Sequence, residues 1–531
     1  MTSPAGSYNG SSSGSIPFAP ATGFVLTPPH GPNHGILAEM LYLTVFGFQF
    51  PLEHGPKVRK GIRMTSERGK VTGFVLVVAA IAAIAGILFG FDTGVISGAI
   101  LFINEEFSLT SVMTEVAVSS VLVGAIIGAL FGGPLSDRVG RRSSILAASV
   151  IFLIGTFVVV LSSLFSIFLI GRILIGIAIG IASFVAPLYI SEVAPESIRG
   201  ALVSLNQLLI TIGILIAYGV NFYFAAAGDW RAMFLVGVIP GTILLLGMYL
   251  MPRSPRWLVF INRPDDAAGV LRKIRGTTDV SEELSGIVRS VREEGAGTWS
   301  DLVAPAVRLP LVLGVGLAVL QQATGINTVI YYAPTIFQFA GLAEATASIA
   351  ATVGIGIVNV LVTLVAIWLV DRAGRRPLLL WSVAGMGIAM LILGTGFALS
   401  NSGAGQMAVS LGLVTAVGLI IYVASFAVGL GPIFWLIISE IYPLSIRGLA
   451  MSLATVTNWA ANFIIAATFL SMVNLIGQSG VFLLYALVAL FAWLFIFKLV
   501  PETKGLSLEQ IEAYFRSRAH PRSGGEEKGV E

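Results

Sequence analysis

The 531-residue chain contains no cysteine, which excludes disulfides, thiolate metal sites and cysteine nucleophiles. Histidine is nearly as scarce: His30, His34, His54 and His520 are the full set, all in the two terminal regions. No imidazole is therefore on hand in the long apolar stretches between them, either to bind a metal or to relay protons. Charge is thin as well. Asp, Glu, Lys and Arg make up 11% of the residues, against about a quarter in soluble domains. The formal net charge of +3 is too small to point to a nucleic acid. Neither G-x-x-x-x-G-K-[ST] nor G-x-G-x-x-G occurs, so no nucleotide or other cofactor is expected. Without a nucleophile, metal site or acid–base pair, the chain does not read as an enzyme.

What fills the chain is hydrocarbon. Hydrophobic residues make up 56% and mean hydropathy is +0.90, the composition of an integral membrane protein. From Val71 onward, apolar runs of the roughly 20 residues needed to cross a bilayer alternate with short polar breaks. The spans read as 71–102, 114–133, 143–162, 166–190, 201–224 and 231–251, then 309–337, 344–370, 377–399, 407–438, 448–473 and 480–499. The fold class is thus all-α and membrane-embedded, with twelve transmembrane helices in two six-helix halves. The expected organisation is an extension (1–63), a first half (64–251), a linker (252–308), a second half (309–499) and a tail (500–531).

Residues 1–33 are rich in Gly, Ser and Pro and read as disordered; Ile36–Leu52 is apolar but short and interrupted. The extension is expected to be dispensable, translated from a start upstream of Met64. In the linker, Ala267, Leu271 and Ile274, and again Leu284, Ile287, Val288 and Val291, recur at helical spacing. They predict short amphipathic helices against the membrane face. In the tail, Ser507 with Gln510 forms a capping box. Lys and Arg gather on alternate loops, so the positive-inside rule puts both termini and the linker in the cytoplasm.

The two halves repeat each other. Asp137-Arg138-Val139-Gly140-Arg141-Arg142 follows the second span, and Asp371-Arg372-Ala373-Gly374-Arg375-Arg376 follows the eighth. Glu192 with Arg199 after the fourth span is matched by Glu440 with Arg447 after the tenth. Parallel repeats of this kind characterise transporters that rock two halves about a central site. Topology alone explains the arginines but not the recurrent acids. The expected gate therefore consists of Asp137, Arg138, Arg142, Glu192 and Arg199 with Asp371, Arg372, Arg376, Glu440 and Arg447, pairing across the cytoplasmic face.

Two interruptions of the hydrocarbon stand out. Within 309–332, Gln321, Gln322, Thr324, Asn327, Tyr331 and Tyr332 occupy an apolar span. They serve either as hydrogen-bonding glue between helices or as a cavity wall for a neutral, hydroxyl-rich guest. In an ideal helix Gln322 and Asn327 point about 140° apart, so both can face one ligand only if the helix breaks. Gly325 and Pro334 permit that, and Gly429, Gly431 and Pro432 do the same ahead of Trp435. The other interruption is Asp92 in the first span and Arg172 in the fourth. Counted from the outer helix ends they lie about 15 Å and 9 Å deep, so they can meet in the outer half. An arginine partner keeps the acid ionised, and parting the two in drier surroundings invites a proton, which is a workable coupling device. A static helix anchor is the plainer alternative.

These motifs resemble the sugar porter family of the major facilitator superfamily over about Gly73–Gln510. Beside the two arginine motifs they include Gly171-Arg172, Pro187–Gly200, Pro252-Arg253-Ser254-Pro255-Arg256-Trp257-Leu258, Gln321–Asn327, Gly431–Trp435 and Pro501–Gly505. Arg253 departs from the family, which usually has Glu there. The resemblance implies sugar-binding roles for Gln207, Gln321, Gln322, Asn327, Asn359, Trp435 and Asn462, with Tyr332 in the same wall and Phe89 as an apolar selectivity residue. It further implies that Asp92, where uniporters carry Asn, marks proton coupling. The expected function is proton-coupled import of a monosaccharide, glucose or a related hexose or pentose, by alternating access. A facilitative uniporter and a proton-coupled polyol or myo-inositol carrier are the alternatives. The expected partners are the sugar, the proton and the lipid bilayer, with the chain working as a monomer in the cell membrane.

Overall fold

The computed structural model describes residues 72–293, 299–401, 408–443, 446–506 and 508–519. Among these residues every regular element is helical. The first, α1 (Gly73–Glu106), starts where the Thr72 hydroxyl accepts the Val75 N–H, and α2 (Ser111–Val139) starts in the same way on Thr110. Each cap satisfies a donor that the first helical turn leaves free. The first set continues with α3 (Arg141–Val160), α4 (Phe165–Val193) and α5 (Arg199–Ala225). Two pieces, α6 (Trp230–Leu235) and α7 (Val238–Leu250), make its sixth span. The linker forms α8 (Pro255–Phe260), α9 (Pro264–Arg275) and α10 (Ser281–Glu293). The second set comprises α11 (Pro305–Ala323), α12 (Ile326–Phe339), α13 (Ala345–Ala373), α14 (Arg375–Asn401), α15 (Ala408–Val428), α16 (Leu430–Ile441), α17 (Arg447–Ala466) and α18 (Phe469–Leu499), before α19 (Leu508–Ala519) in the tail. Together they provide twelve spans long and apolar enough to cross a membrane.

Besides the sixth, two spans are in two pieces: the seventh is α11 plus α12 and the tenth α15 plus α16. The boundary between the last two spans differs from the sequence reading of 448–473 and 480–499. Thr468, at φ −123° and ψ −3°, leaves the helical region, so α17 ends at Ala466 and the apolar Phe469–Val473 opens α18. Gly477, which reads as a loop residue, is a positive-φ kink inside α18. In the linker, α9 does bury Ala267, Leu271 and Ile274. Residues 1–63, including Ile36–Leu52, and Ser507 of the expected capping box lie outside the described residues.

The duplication is visible in the backbone. Gly140 between α2 and α3 has φ +91°, and Gly374 between α13 and α14 has φ +92°. Packing across the halves follows the same symmetry, for α2 packs on α17 while its repeat equivalent α13 packs on α5. Within the first half, α2 and α4 approach through Gly124, Gly128, Gly176 and Gly180. A Cβ on Gly176 would sit 1.9 Å from the Val121 carbonyl oxygen. Small residues let membrane helices meet backbone to backbone, where lipid offers no hydrophobic drive. At the end away from the arginine-rich turns, α1 also packs on α12, whereas α4 and α16 pack chiefly within their own halves.

Candidate functional site

The site begins at Gly325. Its φ of +93° and ψ of 16° are left-handed, so α11 stops at Ala323 and α12 restarts at Ile326 on a new line. A second kink follows at Tyr332 (φ −113°, ψ 15°), just before Pro334. The first break turns Asn327 back toward Gln322, and Asn327 Nδ2 donates to Gln322 Oε1 at 2.8 Å. An unbroken helix would have held these amides apart.

From there the amides form a chain. Gln322 Nε2 donates to Asn458 Oδ1 at 3.1 Å, and Asn458 Nδ2 donates to Gln321 Oε1 at 2.8 Å. Gln321 Nε2 then donates to the Leu430 carbonyl at 2.9 Å, one residue beyond the break at Gly429. The two broken spans therefore meet through uncharged amides, with α17 supplying the link. Asn458 was missed by sequence reasoning. It lies one turn before Asn462, and that i, i+4 spacing on one face was the available signal.

Beside the chain, Asn462 Nδ2 donates to Tyr331 Oη at 3.2 Å, while Asn462 Oδ1 and Trp459 Nε1 are buried with no hydrogen-bond partner among the described residues. Trp459, likewise not anticipated, holds its ring 5.2 Å from that of Phe89. Asn359 is buried and Gln207 half-buried on their spans. Trp435 remains 36% exposed and lies edge-on to Phe434. Tyr332 does not join the chain: its hydroxyl donates to the Ala466 carbonyl at 3.2 Å and its ring leans on Phe469.

The backbone at Gly325 leads to a first prediction. A left-handed conformation costs a non-glycine residue about 1–2 kcal/mol, and a Cβ here would lie 2.8 Å from the Tyr485 ring. Gly325→Ala is expected to lower the unfolding temperature in detergent by several degrees and to weaken ligand binding. An unchanged melting curve would show that the break is not built on this glycine.

Asp92 and Arg172 form a hydrogen-bonded ion pair, 3% and 0% exposed. The guanidinium also lies over the Phe234 ring, 5.5 Å from its centroid. Its Nε and Nη2 have no hydrogen-bond partner among the described residues. A buried pair this incompletely satisfied recovers little of its desolvation cost. Tyr331, the partner of Asn462, is buried in the seventh span, as Asp92 and Arg172 are in the first and fourth.

At the arginine-rich end, the repeats build two copies of one device. Arg141 Nε donates to Glu192 at 3.1 Å and Arg375 Nη2 to Glu440 at 3.2 Å. Ser254 and Thr503 donate their hydroxyls to the same two carboxylates. Arg142 donates to the Met248 and Tyr249 carbonyls closing α7, and Arg376 to the Phe497 carbonyl near the end of α18. Of each adjacent arginine pair, the first therefore meets the acid and the second caps a distant helix. Asp137 also accepts from Arg141. Arg138 and Arg199 are exposed, Arg372 stacks on Trp368 and Arg447 caps the Tyr442 carbonyl. The Asp371 side chain lies outside the described residues. These ion pairs each lie within one half.

The copies differ at a helix cap. Glu502 accepts the Arg375 and Arg376 N–H groups at 3.0 and 3.1 Å, capping α14. The repeat counterpart of Glu502 is Arg253, which lies over the Trp257 ring, and α3 has no side-chain cap. A helix-capping carboxylate is worth about 1 kcal/mol. Arg253→Glu is expected to raise the unfolding temperature by a few degrees in thermal denaturation. A lowered value would mean that the Trp257 stack matters more.

Two six-helix repeats packed around a buried, uncharged polar centre define a membrane transporter of the major facilitator type. The chain belongs to the sugar transporter family, whose model, described as "Sugar (and other) transporter", matches residues 78–515. It is 41% identical to the galactose-proton symporter of Escherichia coli, over 81% of this chain and 92% of that protein. To the D-xylose transporter of Levilactobacillus brevis it is 40% identical, over 84% and 96%. The structure superposes on the E. coli xylose transporter XylE in its partially occluded inward-open conformation with a TM-score of 0.72. There the identity is 33%, with 82% of this chain and all of that one covered.

Proposed function

We propose that the chain imports a monosaccharide together with a proton, by alternating access between its halves. The observation that carries this reading is the chain of four neutral amides, Gln321, Gln322, Asn327 and Asn458, where two broken spans meet. Each amide offers a donor and an acceptor, matching sugar hydroxyls that are both, and none carries a charge to repel a neutral ligand. The orphaned Asn462 Oδ1 and Trp459 Nε1 add one acceptor and one donor. Trp435 and Phe89 supply apolar faces for the C–H side of a pyranose ring, while Gln207 and Asn359 close the remaining sides.

Asp92 carries the proton. While ionised it holds Arg172; once protonated it releases the arginine, and helices α1 and α4 are free to move relative to each other. Tyr331, which accepts from Asn462 on the sugar side, links this event to the sugar. The arginine-rich end faces the cytoplasm of a cell membrane, with the residue 252–308 linker and both termini on that side. There the Arg141–Glu192 and Arg375–Glu440 devices hold each half rigid while the halves rock. One polypeptide contains the complete site, so the monomer is the working unit. Galactose-proton and xylose relatives support a hexose or pentose as substrate. The test is uptake by proteoliposomes under an imposed proton gradient, with glucose, galactose, xylose, fructose and myo-inositol offered separately. Accumulation of an aldose supports the reading; preference for myo-inositol, or equilibration without accumulation, replaces it with a polyol carrier or a uniporter.

A further inference from the structure

The end of the bundle opposite the arginines is held by a different device. Glu115, in the second turn of α2, is 2% exposed. Its Oε1 accepts the Ser471 backbone N–H and its Oε2 accepts the Ser471 hydroxyl, both at 2.6 Å. Ser471 is in the first turn of α18, where the helix has free N–H donors and a positive dipole end. One carboxylate of the first half thus grips a helix terminus of the second. The offset relating Asp137 to Asp371 carries Glu115 to Ile349, so the duplication does not repeat this acid. The Tyr218 hydroxyl reinforces the seam by donating to the Ile330 carbonyl at 3.1 Å.

Just beside Glu115 and Ser471 lies a recess of about 500 Å³, lined among others by Asn104, Thr114, Thr335, Asn474 and Gln478. The recess lies between residues of the two halves. A bond between a charged group and two donors in a buried place is strong.

We propose that Glu115 is the latch of the outer gate. Its two bonds to Ser471 hold the inward-facing state and must break for the central cavity to open outward. Glu115 therefore positions α18 against α2 and sets the balance between the two facing states. This rests on the alternating-access reading above, but the test does not depend on what is carried. The natural absence of cysteine allows spin labels to be placed at Val112→Cys in α2 and Leu475→Cys in α18, which are 60% and 83% exposed. The distance between them is read by pulsed electron resonance in nanodiscs without sugar. In Glu115→Gln the ratio of long to short distances is expected to rise about ten-fold or more. Ser471→Ala removes one of the two bonds and keeps the N–H, so a smaller shift in the same direction is expected. It carries the test if Glu115→Gln does not fold. Distance distributions unchanged from the parent in a folded variant would overturn the latch, whatever the uptake assays show. Failure of uptake with the distances shifted as stated would leave the latch standing and count against the sugar reading.

Discussion

Asp92→Asn is expected to abolish proton-driven accumulation while leaving exchange of labelled for unlabelled sugar across the membrane. Asparagine keeps the shape of the aspartate and can still accept from Arg172, so helix packing is preserved. It cannot take up a proton at any accessible pH, and it no longer carries the charge that holds the guanidinium. With one proton per sugar, a potential of 100 mV supplies about 2.3 kcal/mol, a concentration ratio of about 50. The wild-type carrier should approach that ratio and the variant should stop at equality. Exchange needs only the loaded carrier to change face, which the variant can still do. Full accumulation by Asp92→Asn would remove Asp92 from the coupling mechanism and leave the Asp92–Arg172 pair as a helix anchor.

Gln322→Ala should weaken sugar binding by about 10²-fold, the upper end of what leaving buried polar groups unpaired costs. Gln322 stands in the middle of the chain, donating to Asn458 and accepting from Asn327. Its loss takes a donor and an acceptor from the ligand and leaves two neighbouring amides without their partner. Asn458→Ala should have an effect of the same order. Tyr332→Phe should not, since that hydroxyl is committed to the Ala466 carbonyl on the far side of α12. Binding measured by isothermal titration or ligand-induced fluorescence separates these cases. Equal effects of Gln322→Ala and Tyr332→Phe would place the ligand elsewhere.

Much of the architecture was legible because the bilayer imposes it. Runs of hydrocarbon must be helices, and the twin arginine motifs announce the duplication. Gly325 could be read as a break because Gln322 and Asn327 otherwise point apart. What escaped was whatever depends on a neighbour far along the chain. Asn458 is one amide among several until α17 brings it between Gln321 and Gln322. Two adjacent arginines cannot be told apart on paper; in the fold the first after each of the positive-φ turns at Gly140 and Gly374 meets the acid. Glu115 sits near a span end, where a carboxylate looks ordinary until Ser471, 356 positions away, is found against it. The last span boundary is hidden in the sequence because Phe469–Val473 is apolar and Gly477 looks like a loop, whereas it is a kink inside a helix.

Sugar-evoked current most directly tests the central claim, that a neutral sugar and a proton cross together. Proteoliposomes adsorbed on a solid-supported membrane, with equal pH on both sides and no potential, are given a pulse of the aldose that they accumulate best. A transient inward positive current is expected with wild-type protein and none with Asp92→Asn. Uptake of the sugar by the wild type without any current would contradict it and define the protein as a uniporter.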